Sequence, residues 1–358
     1  MLGLYVHIPF CEAICRYCDF CKRIKKDDQM IDDYIDVLKS EYEKLNQRFD
    51  TIYIGGGTPS MLSIKQLEKL LSIFKRENPI EYTIEVNPES FTYEKGQLFK
   101  AYNINRVSIG VQTFNESILK SLNRKHRNQA VFDTIHNLLD IGITNISLDL
   151  IFALPNQTLD DVKADLAILK TLPIRHVSYY SLILEENTQL YLDYLNGLYT
   201  PTDDDLEALM YIEIKTCLSN LGYTHYEVSN FHKGAPSLHN MIYWKNNYYH
   251  AIGAGSHGFY KDRYYYTRNV SDYIKNQTKK TIPQTNYMNY QDTLIFGLRM
   301  LEGIDLNKLE NKFNRHPLND FPKLHTLIES GLLILEDNHL KVSDKGLLFL
   351  NQIEVMFI

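Results

Sequence analysis

Three cysteines near the start of the chain have the spacing of ligands to an iron–sulfur cluster. Cys11, Cys15 and Cys18 form the pattern CxxxCxxC. Three thiolates on one short loop can each bind one iron of a cubane 4Fe–4S cluster, which leaves the fourth iron without a protein ligand. The amino and carboxylate groups of S-adenosylmethionine (SAM) can chelate such an open iron. One electron from the cluster then cleaves the S–C5′ bond and yields a 5′-deoxyadenosyl radical.

A zinc site and free thiols are the alternatives for the same cysteines. Structural zinc sites usually combine two pairs of ligands, and Cys21 could supply the fourth thiolate that closes such a site. Four of the five cysteines lie between residues 11 and 21, which is not typical of a secreted disulfide framework. The open cluster is favoured because other residues of the sequence suit SAM.

Glycines and polar residues that suit SAM follow several predicted strands. Residues 55–59 (GGGTP) allow the main chain to approach an amino group or a ribose, although a tight turn is the plain alternative. Glu85 can accept hydrogen bonds from ribose hydroxyls, with a surface charge as its alternative. Gln112 and Arg124 can donate to a carboxylate or a ribose. Asp149 stands in an apolar strand, where a buried carboxylate needs a ligand or an arginine partner.

A histidine and the only tryptophan of the chain share one short segment, HNMIYW, at residues 239–244. A neutral imidazole is a good axial ligand for heme iron, and flanking aromatic rings can stack on a porphyrin. The alternative for His239 is a packed aromatic turn in which the ring is hydrogen bonded. His257, in the glycine-rich segment that follows, is a second candidate heme ligand, and His7 is expected to support the cysteine loop.

The elements that position these residues alternate between short apolar runs and longer amphipathic stretches. The predicted strands are Leu4–Ile8, Thr51–Ile54, Tyr82–Val86, Arg106–Val111, Ile146–Phe152 and His176–Leu182. The predicted helices include Asp32–Arg48, Ile64–Phe74, Asn115–Leu122, Ala130–Leu139 and Leu159–Leu169, with caps such as Ser63, Asn115 and Thr158. The alternation predicts an α/β fold with a parallel sheet, and six repeats predict a partial (β/α)6 barrel. Chemistry in such a barrel gathers at the C-terminal ends of the strands.

Three regions are predicted along the chain. Residues 1–200 form the barrel, residues 201–285 an extension that carries HNMIYW, and residues 286–358 a smaller C-terminal domain. In the last region helices precede two short strands, Leu332–Leu335 and His339–Val342. This order predicts an α+β region with a winged-helix-like end.

Composition argues against a nucleic-acid-binding or membrane-spanning protein. Apolar residues make up 44% of the chain and charged residues 23%, as in ordinary globular proteins. The net charge of −6 gives no basic surplus for nucleic acid. No run approaches about 18 apolar residues, and the start of the chain lacks a basic leader and a cleavage site. A cytoplasmic location is expected.

The segment YVHIPFCEAICRYCDF, residues 5–20, resembles the start of the oxygen-independent coproporphyrinogen III oxidases, a family of radical-SAM proteins. With HNMIYW, which is less typical of the oxidases, the chain resembles their HemW-type heme chaperone branch over nearly its whole length. The oxidases carry a further cysteine where this chain has Phe20. Cys21 stands where the chaperone branch often has asparagine, so it is not expected to bind the cluster.

The resemblance implies roles for individual residues. The cluster ligands would be Cys11, Cys15 and Cys18. The residues in contact with cluster-bound SAM would be Tyr5, Tyr17, Gly56 and Glu85. The positions where the oxidases hold a second SAM, and which here alternatively shape the pocket, are Gly57, Thr58, Gln112, Arg124 and Asp149. His239 would contact heme.

The resemblance implies a chaperone that binds heme as cargo and delivers it to an acceptor such as a respiratory-chain protein. The cluster and SAM would modulate the transfer, and a flavodoxin or ferredoxin would donate electrons. The alternatives are a coproporphyrinogen III dehydrogenase of porphyrin biosynthesis, which decarboxylates two propionates, and a radical-SAM enzyme with another substrate. Phe20, HNMIYW and a start too short for the N-terminal cover of the oxidases favour the chaperone, without dehydrogenase activity. Whether SAM is cleaved, and so whether the protein is an enzyme, is left open.

Overall fold

A computed structural model of the chain describes residues 1–267, 269–276 and 279–358. In the first 220 residues, strands and helices alternate as the sequence predicts. The strands are β1 (Gly3–Ile8), β2 (Phe10–Cys11), β3 (Arg23–Ile24), β4 (Thr51–Gly56), β5 (Glu81–Val86), β6 (Arg106–Gln112), β7 (Asn145–Phe152) and β8 (His176–Ser181). The helices are α1 (Asp28–Glu43), α2 (Ile64–Ile73), α3 (Tyr93–Ala101), α4 (Glu116–Ser121), α5 (Asn128–Asp140), α6 (Leu159–Leu169), α7 (Gln189–Leu195) and α8 (Asp204–Asn220).

Six of these strands form the parallel sheet that the βα repeats predict. They lie side by side in the order β1-β4-β5-β6-β7-β8, and every neighbouring pair is parallel. Both faces of the strands are buried, as in β4, where Thr51 on one face and Ile52 and Ile54 on the other are fully inaccessible. This burial explains why the strands appear in the sequence as short apolar runs. The partial (β/α)6 barrel is confirmed.

Helix starts follow local capping chemistry. The side chains of Ser63, Asn115 and Thr158 accept hydrogen bonds from main-chain N–H groups in the first turns of α2, α4 and α6. Helix α1 begins four residues before its predicted start because Asp27 caps it, with Oδ1 accepting from the Met30 N–H at 2.7 Å. None of the helices in the described ranges is both long and apolar enough to cross a membrane.

Residues 224–283 extend the same sheet at both edges, to twelve strands. The elements are β9 (Thr224–Glu227), β10 (Asn230–His232), α9 (Leu238–Trp244), β11 (Tyr249–Ile252), β12 (His257–Phe259), β13 (Arg263–Thr267), α10 (Val270–Asn276) and β14 (Lys279–Pro283). At one edge β10 pairs antiparallel with β8. At the other, β11 pairs parallel with β1 and leads into the antiparallel strands β12, β13 and β14. The HNMIYW helix, α9, is thereby brought against β1 and β4.

The C-terminal region combines helices with a small antiparallel sheet. Its elements are α11 (Asn286–Leu298), β15 (Ile304–Asp305), α12 (Leu306–Phe313), α13 (Pro317–Asp320), α14 (Lys323–Glu329), β16 (Leu333–Glu336), β17 (His339–Val342) and α15 (Leu350–Glu354). The three strands pair in the order β15-β17-β16. Helices followed by a β16–β17 hairpin give the winged-helix-like end that the sequence predicts. A 3₁₀ turn, Gly346–Phe349, leads into α15.

Candidate functional site

A cavity of about 1300 Å³ opens at the C-terminal ends of β4 to β8. It is the position at which barrels of this kind place their chemistry. Most of the residues predicted to bind the cluster or SAM line it: Cys11, Cys15, Tyr17, Cys18, Gly56, Gly57, Thr58, Glu85, Gln112, Arg124 and Asp149. Tyr5 and the two candidate heme ligands, His239 and His257, do not line the cavity.

Cys11 is the last residue of β2, and Cys15 and Cys18 lie on the loop that follows. This cysteine loop begins next to the end of β4, where the N–H of Thr58 donates to the carbonyl of Phe10 at 2.8 Å. Burial, with smaller contributions from the nearby thiols of Cys18 and Cys15, raises the pKa of the Cys11 thiol to about 11. Three thiolates placed this close together out of water need a cation between them, and the irons of a cluster supply one.

The spacing of the thiols also bears on the kind of metal group. No three His, Cys, Asp or Glu side chains in the described residues are grouped closely enough to hold a single metal ion. A zinc ion gathers all of its ligands on one centre, whereas a cubane binds each thiolate on a different iron. The two kinds of metal group therefore require different placements of Cys11, Cys15 and Cys18.

Cys21 does not line the cavity but packs against Gly255, behind the cysteine loop. A Cβ placed on Gly255 would lie 2.1 Å from the Cβ of Cys21 and 2.8 Å from its sulfur, so the two residues are in direct contact. The carbonyl of Cys21 is 2.8 Å from Nε2 of His7, and Nδ1 of His7 is 2.9 Å from the hydroxyl of Tyr5. This hydrogen-bonded chain, Tyr5–His7–Cys21, anchors the end of the cysteine loop to β1.

The glycines at the end of β4 fit a space that no larger residue could occupy. A Cβ on Gly55 would lie 2.8 Å from the carboxylate of Glu85, and one on Gly57 would lie 2.9 Å from the sulfur of Cys11. Gly56 has a φ of +115°, and a Cβ there would lie 2.6 Å from the ring of His7. The main chain of this turn therefore passes directly beside the cysteine loop, and a SAM-binding role for the turn remains a prediction.

Two carboxylates face the cavity from β5 and β7, the strands on either side of β6. Glu85 accepts hydrogen bonds from the hydroxyl of Tyr53 at 2.8 Å and the N–H of Gly56 at 2.9 Å. Burial raises the pKa of Glu85 to about 7. Burial also raises the pKa of Asp149, which accepts from the hydroxyl of Ser108 at 2.8 Å. Both carboxylates are thus prepared to accept further hydrogen bonds from a ligand.

Arg106 is a site residue that the sequence analysis missed. It lies in β6, is 3% exposed and lines the cavity. Its charge acts on both carboxylates and lowers their pKa values against the larger effect of burial. Arg106 supplies a positive charge near the buried carboxylate of Asp149, although the structure records no direct ion pair between these two residues. An arginine inside an apolar strand was the signal for it.

Gln112 and Arg124 lie where β6 ends in an irregular turn. Gln112 has a φ of +67°, a left-handed conformation that non-glycine residues rarely adopt and that is often found at functional sites. The guanidinium of Arg124 donates to the carbonyl of Gly110 at 2.5 Å and to Oδ1 of Asn87 at 3.2 Å. Its Nη1 lies 3.8 Å from the sulfur of Cys15, so Arg124 joins the cysteine loop to the strand ends.

The HNMIYW helix turns its histidine away from the cavity. His239 is fully buried, with Nδ1 2.7 Å from the hydroxyl of Thr51 and Nε2 2.7 Å from the hydroxyl of Tyr243. Both ring nitrogens are therefore engaged by the protein, which matches the packed-histidine alternative; binding to heme iron would require both contacts to break. Asn240 is the residue of this helix that lines the cavity. His257 stacks on Tyr266, with ring centroids 5.3 Å apart.

The mouth of the cavity is lined by exposed apolar side chains. They are Ile14, Phe20, Tyr180, Ile183, Leu348 and Phe349. Phe20 comes from the cysteine loop, whereas the last two come from the 3₁₀ turn before α15. No motif marked this C-terminal contribution in the sequence. Apolar walls with a few polar groups are typical of pockets for flat organic ligands.

Comparisons with known proteins match both parts of the chain to known families. The model of the Radical SAM superfamily matches residues 5–169, and that of the HemN C-terminal domain matches residues 289–349. The solved structure of coproporphyrinogen III oxidase (HemN) from Escherichia coli is similar to the chain with a TM-score of 0.84 and 20% identity. The likeness covers 99% of this chain and 89% of that one, and it shows the shared fold.

Several relatives match the chain over its whole length. The protein named heme chaperone HemW of Lactococcus lactis subsp. lactis (strain IL1403) is 39% identical, over 96% of this chain and 93% of the relative. The protein of the same name from Bacillus subtilis (strain 168) is 34% identical, over 100% and 99%. Membership of the radical SAM superfamily implies a 4Fe–4S cluster and SAM. On this identity and coverage, the chain belongs to the HemW family of radical SAM proteins.

Proposed function

We propose that the protein is a heme chaperone, which binds heme in the cavity and passes it to an acceptor protein such as a component of the respiratory chain. The observation that carries the proposal is the cavity itself. It combines the cysteine loop and the predicted SAM residues with an apolar mouth, in a volume of about 1300 Å³. A porphyrin is flat and largely apolar, so such a mouth suits it. The names of the full-length relatives support the same function.

The residues proposed for the cofactors are those that the sequence singled out. Cys11, Cys15 and Cys18 would hold the 4Fe–4S cluster. When bound, the cluster would supply an open iron that chelates SAM and an electron from a donor such as a flavodoxin or ferredoxin. SAM would be bound by residues of the glycine turn, the cysteine loop and the strand ends: Tyr17, Gly56, Gly57, Thr58, Glu85, Gln112, Arg124 and Asp149. Tyr5 would support the site indirectly, because its hydroxyl contacts His7, which in turn contacts the carbonyl of Cys21 at the end of the cysteine loop.

The affinity for SAM is expected to depend on pH through Glu85. A ribose hydroxyl donates to the ionised carboxylate, and burial raises the pKa of Glu85 to about 7. Protonation therefore competes with SAM as the pH falls, by about tenfold for each unit below the pKa. Equilibrium dialysis of SAM between about pH 6 and pH 8 measures the effect. The Glu85→Gln variant should bind SAM more weakly at the higher pH and without this dependence; a flat profile for the unsubstituted protein contradicts the role of Glu85.

The alternative function is oxidative decarboxylation of coproporphyrinogen III. The likeness to the oxidase structure concerns the fold and does not favour that reaction. Phe20, 67% exposed on the cavity wall, occupies the position where the resemblance places a further oxidase cysteine. An apolar ring at this position adds contact area for a porphyrin but cannot provide the thiol.

The two functions are separated by two assays on one anaerobically reconstituted sample. Heme titration, followed by the change in heme absorption and by quenching of the single tryptophan, is expected to show saturable binding. Incubation with coproporphyrinogen III, SAM and a reductant is expected to give little or no protoporphyrinogen. Robust formation of protoporphyrinogen, or the absence of saturable heme binding, overturns the chaperone proposal.

A further inference from the structure

One part of the cavity wall is made by the HNMIYW helix and the end of α11. Asn240 and Arg299 both line the cavity there. The guanidinium of Arg299 lies over the ring of Trp244, with its central carbon 4.9 Å from the ring centroid. Asn240 and Trp244 are four residues apart on α9 and share one face of the helix. Stacking on Trp244 therefore places Arg299 on the face that carries Asn240.

The side chain of Arg299 is only partly engaged by the protein. A guanidinium has five N–H donors. Within the described residues, Nη1 reaches Oε1 of Glu354 at 3.5 Å, and the buried Nε has no hydrogen-bond partner. The main chain is fixed, since the carbonyl of Arg299 accepts from the N–H of Val228 at 3.1 Å. Arg299 is thus held in place by its main-chain hydrogen bond and by Trp244, and some of its N–H donors remain available to a ligand.

The two other arginines that line the cavity already interact with groups of the protein. Arg106 acts on the carboxylates of Asp149 and Glu85. Arg124 donates to Gly110 and Asn87 beside the cysteine loop. Arg299 is the cavity-lining arginine in the described ranges that lies apart from both groups, in the C-terminal region.

Two acidic groups lie near Arg299. Glu227 is fully buried in β9, where Nδ2 of Asn230 donates to it, and Oε1 of Glu354 lies 3.5 Å from Nη1 of Arg299. Burial raises the pKa of both carboxyl groups, and the charge of Arg299 opposes that rise. The single long contact with Glu354 leaves N–H donors of the guanidinium for an anionic group in the cavity.

We propose that Arg299, mounted on Trp244 beside Asn240, binds a carboxylate of the cavity ligand, namely a propionate of heme. The proposal rests on the heme-chaperone function and adds how the cargo is recognised. A guanidinium is suited to this task because it can donate two parallel hydrogen bonds to one carboxylate. In the HNMIYW helix, Asn240 and Trp244 then contribute to the ligand site, whereas His239 and Tyr243 pack and hydrogen bond in the core.

The test compares heme with its dimethyl ester, in which both propionates are blocked, on the cluster-loaded protein. Unsubstituted protein is expected to bind heme about tenfold to a hundredfold more tightly than the ester, the range for hydrogen bonds to a charged group. Arg299→Gln should lose that advantage and bind the two ligands alike. Arg299→Lys keeps the charge without the planar fork and should fall between.

Two further variants separate ligand binding from a structural role. Arg315→Gln is the matched control, because Arg315 also stacks on an aromatic ring, that of Tyr287, and pairs with Asp320, but outside the cavity. It should leave the preference for heme unchanged. Glu354→Gln removes the same ion pair as Arg299→Gln but frees the guanidinium. It should leave heme affinity unchanged or increase it, whereas Arg299→Gln should decrease it.

Each outcome of these titrations bears on a different part of the proposal. If unsubstituted protein binds heme and ester equally, or if Arg299→Gln and Glu354→Gln weaken heme binding to the same extent, the carboxylate role of Arg299 is wrong. If heme binds to neither variant nor the unsubstituted protein, the chaperone function itself fails. A carboxylate is also present in SAM, so SAM is titrated in parallel. Unchanged SAM affinity in Arg299→Gln supports the propionate, and a selective loss of SAM binding overturns it.

Discussion

Replacing Cys15 with serine is expected to abolish the iron–sulfur cluster. After anaerobic reconstitution, iron and sulfide should fall to background and the brown colour should be lost. A serine hydroxyl does not ionise at neutral pH, so the loop would retain two thiolates where a cubane with one open iron needs three. SAM binding should fall with the cluster, because its chelation site would be absent.

The surroundings of Cys15 make this loss difficult to repair. Arg124 lies 3.8 Å from the Cys15 sulfur and is buried, so a neutral serine would leave that guanidinium without its thiolate neighbour. The carbonyl of Cys15 also accepts from the N–H of Cys18 at 3.2 Å. A displaced residue 15 would therefore disturb a second ligand. The loop offers no other thiol on the cavity side within the described residues.

Cys21→Ser is the matched control, since it makes the same chemical change on the same loop. Cys21 packs against Gly255, and its carbonyl, which the substitution retains, meets His7. Iron content should remain at the unsubstituted level, with at most a modest loss of stability. If Cys21→Ser loses as much iron as Cys15→Ser, then Cys21 closes the site and SAM has no open iron to chelate.

The parallel strands could be predicted from the sequence to within a residue or two. They are buried on both faces, so they stand out as short apolar runs, and α6 was predicted with both of its ends, Leu159 and Leu169. The extension of the sheet was not predicted. The pairing of β11 with β1 joins residues almost 250 positions apart, as in Tyr249 and Gly3. Such a contact leaves no local pattern in either segment.

The site shows the same division between local and distant signals. Residues such as Glu85 and Asp149 could be found because polar groups at the ends of apolar strands are exceptional. Arg299 and the turn Gly346–Phe349 reach the cavity through the tertiary fold alone. The residue type of His239 suggested a heme ligand, but the sequence did not show which way its side chain points. A helix presents one face to the cavity and another to the core, and only tertiary packing decides that Asn240 faces the cavity.

Gly57→Ala tests whether the glycine turn and the cysteine loop form one unit. The added Cβ would lie 2.7 Å from the carbonyl oxygen of Phe10 and 2.9 Å from the sulfur of Cys11. Main chain cannot yield as a flexible side chain does, so the loop must move, at a cost of about 1–3 kcal/mol. Because Cys11 moves with it, most of the bound iron should be lost after reconstitution, although residue 57 is not a ligand.

Gly331→Ala provides the comparison for this substitution. Gly331 has a φ of +72° and open space around its Cα, so alanine there strains the backbone by about 1 kcal/mol without a collision. It should lower the melting temperature slightly and leave iron content unchanged. A Gly57→Ala protein that melts like Gly331→Ala and keeps its full cluster would mean that the loop can relax independently. The close approach of the two segments would then be incidental to metal binding, and the site would depend on the three cysteines alone.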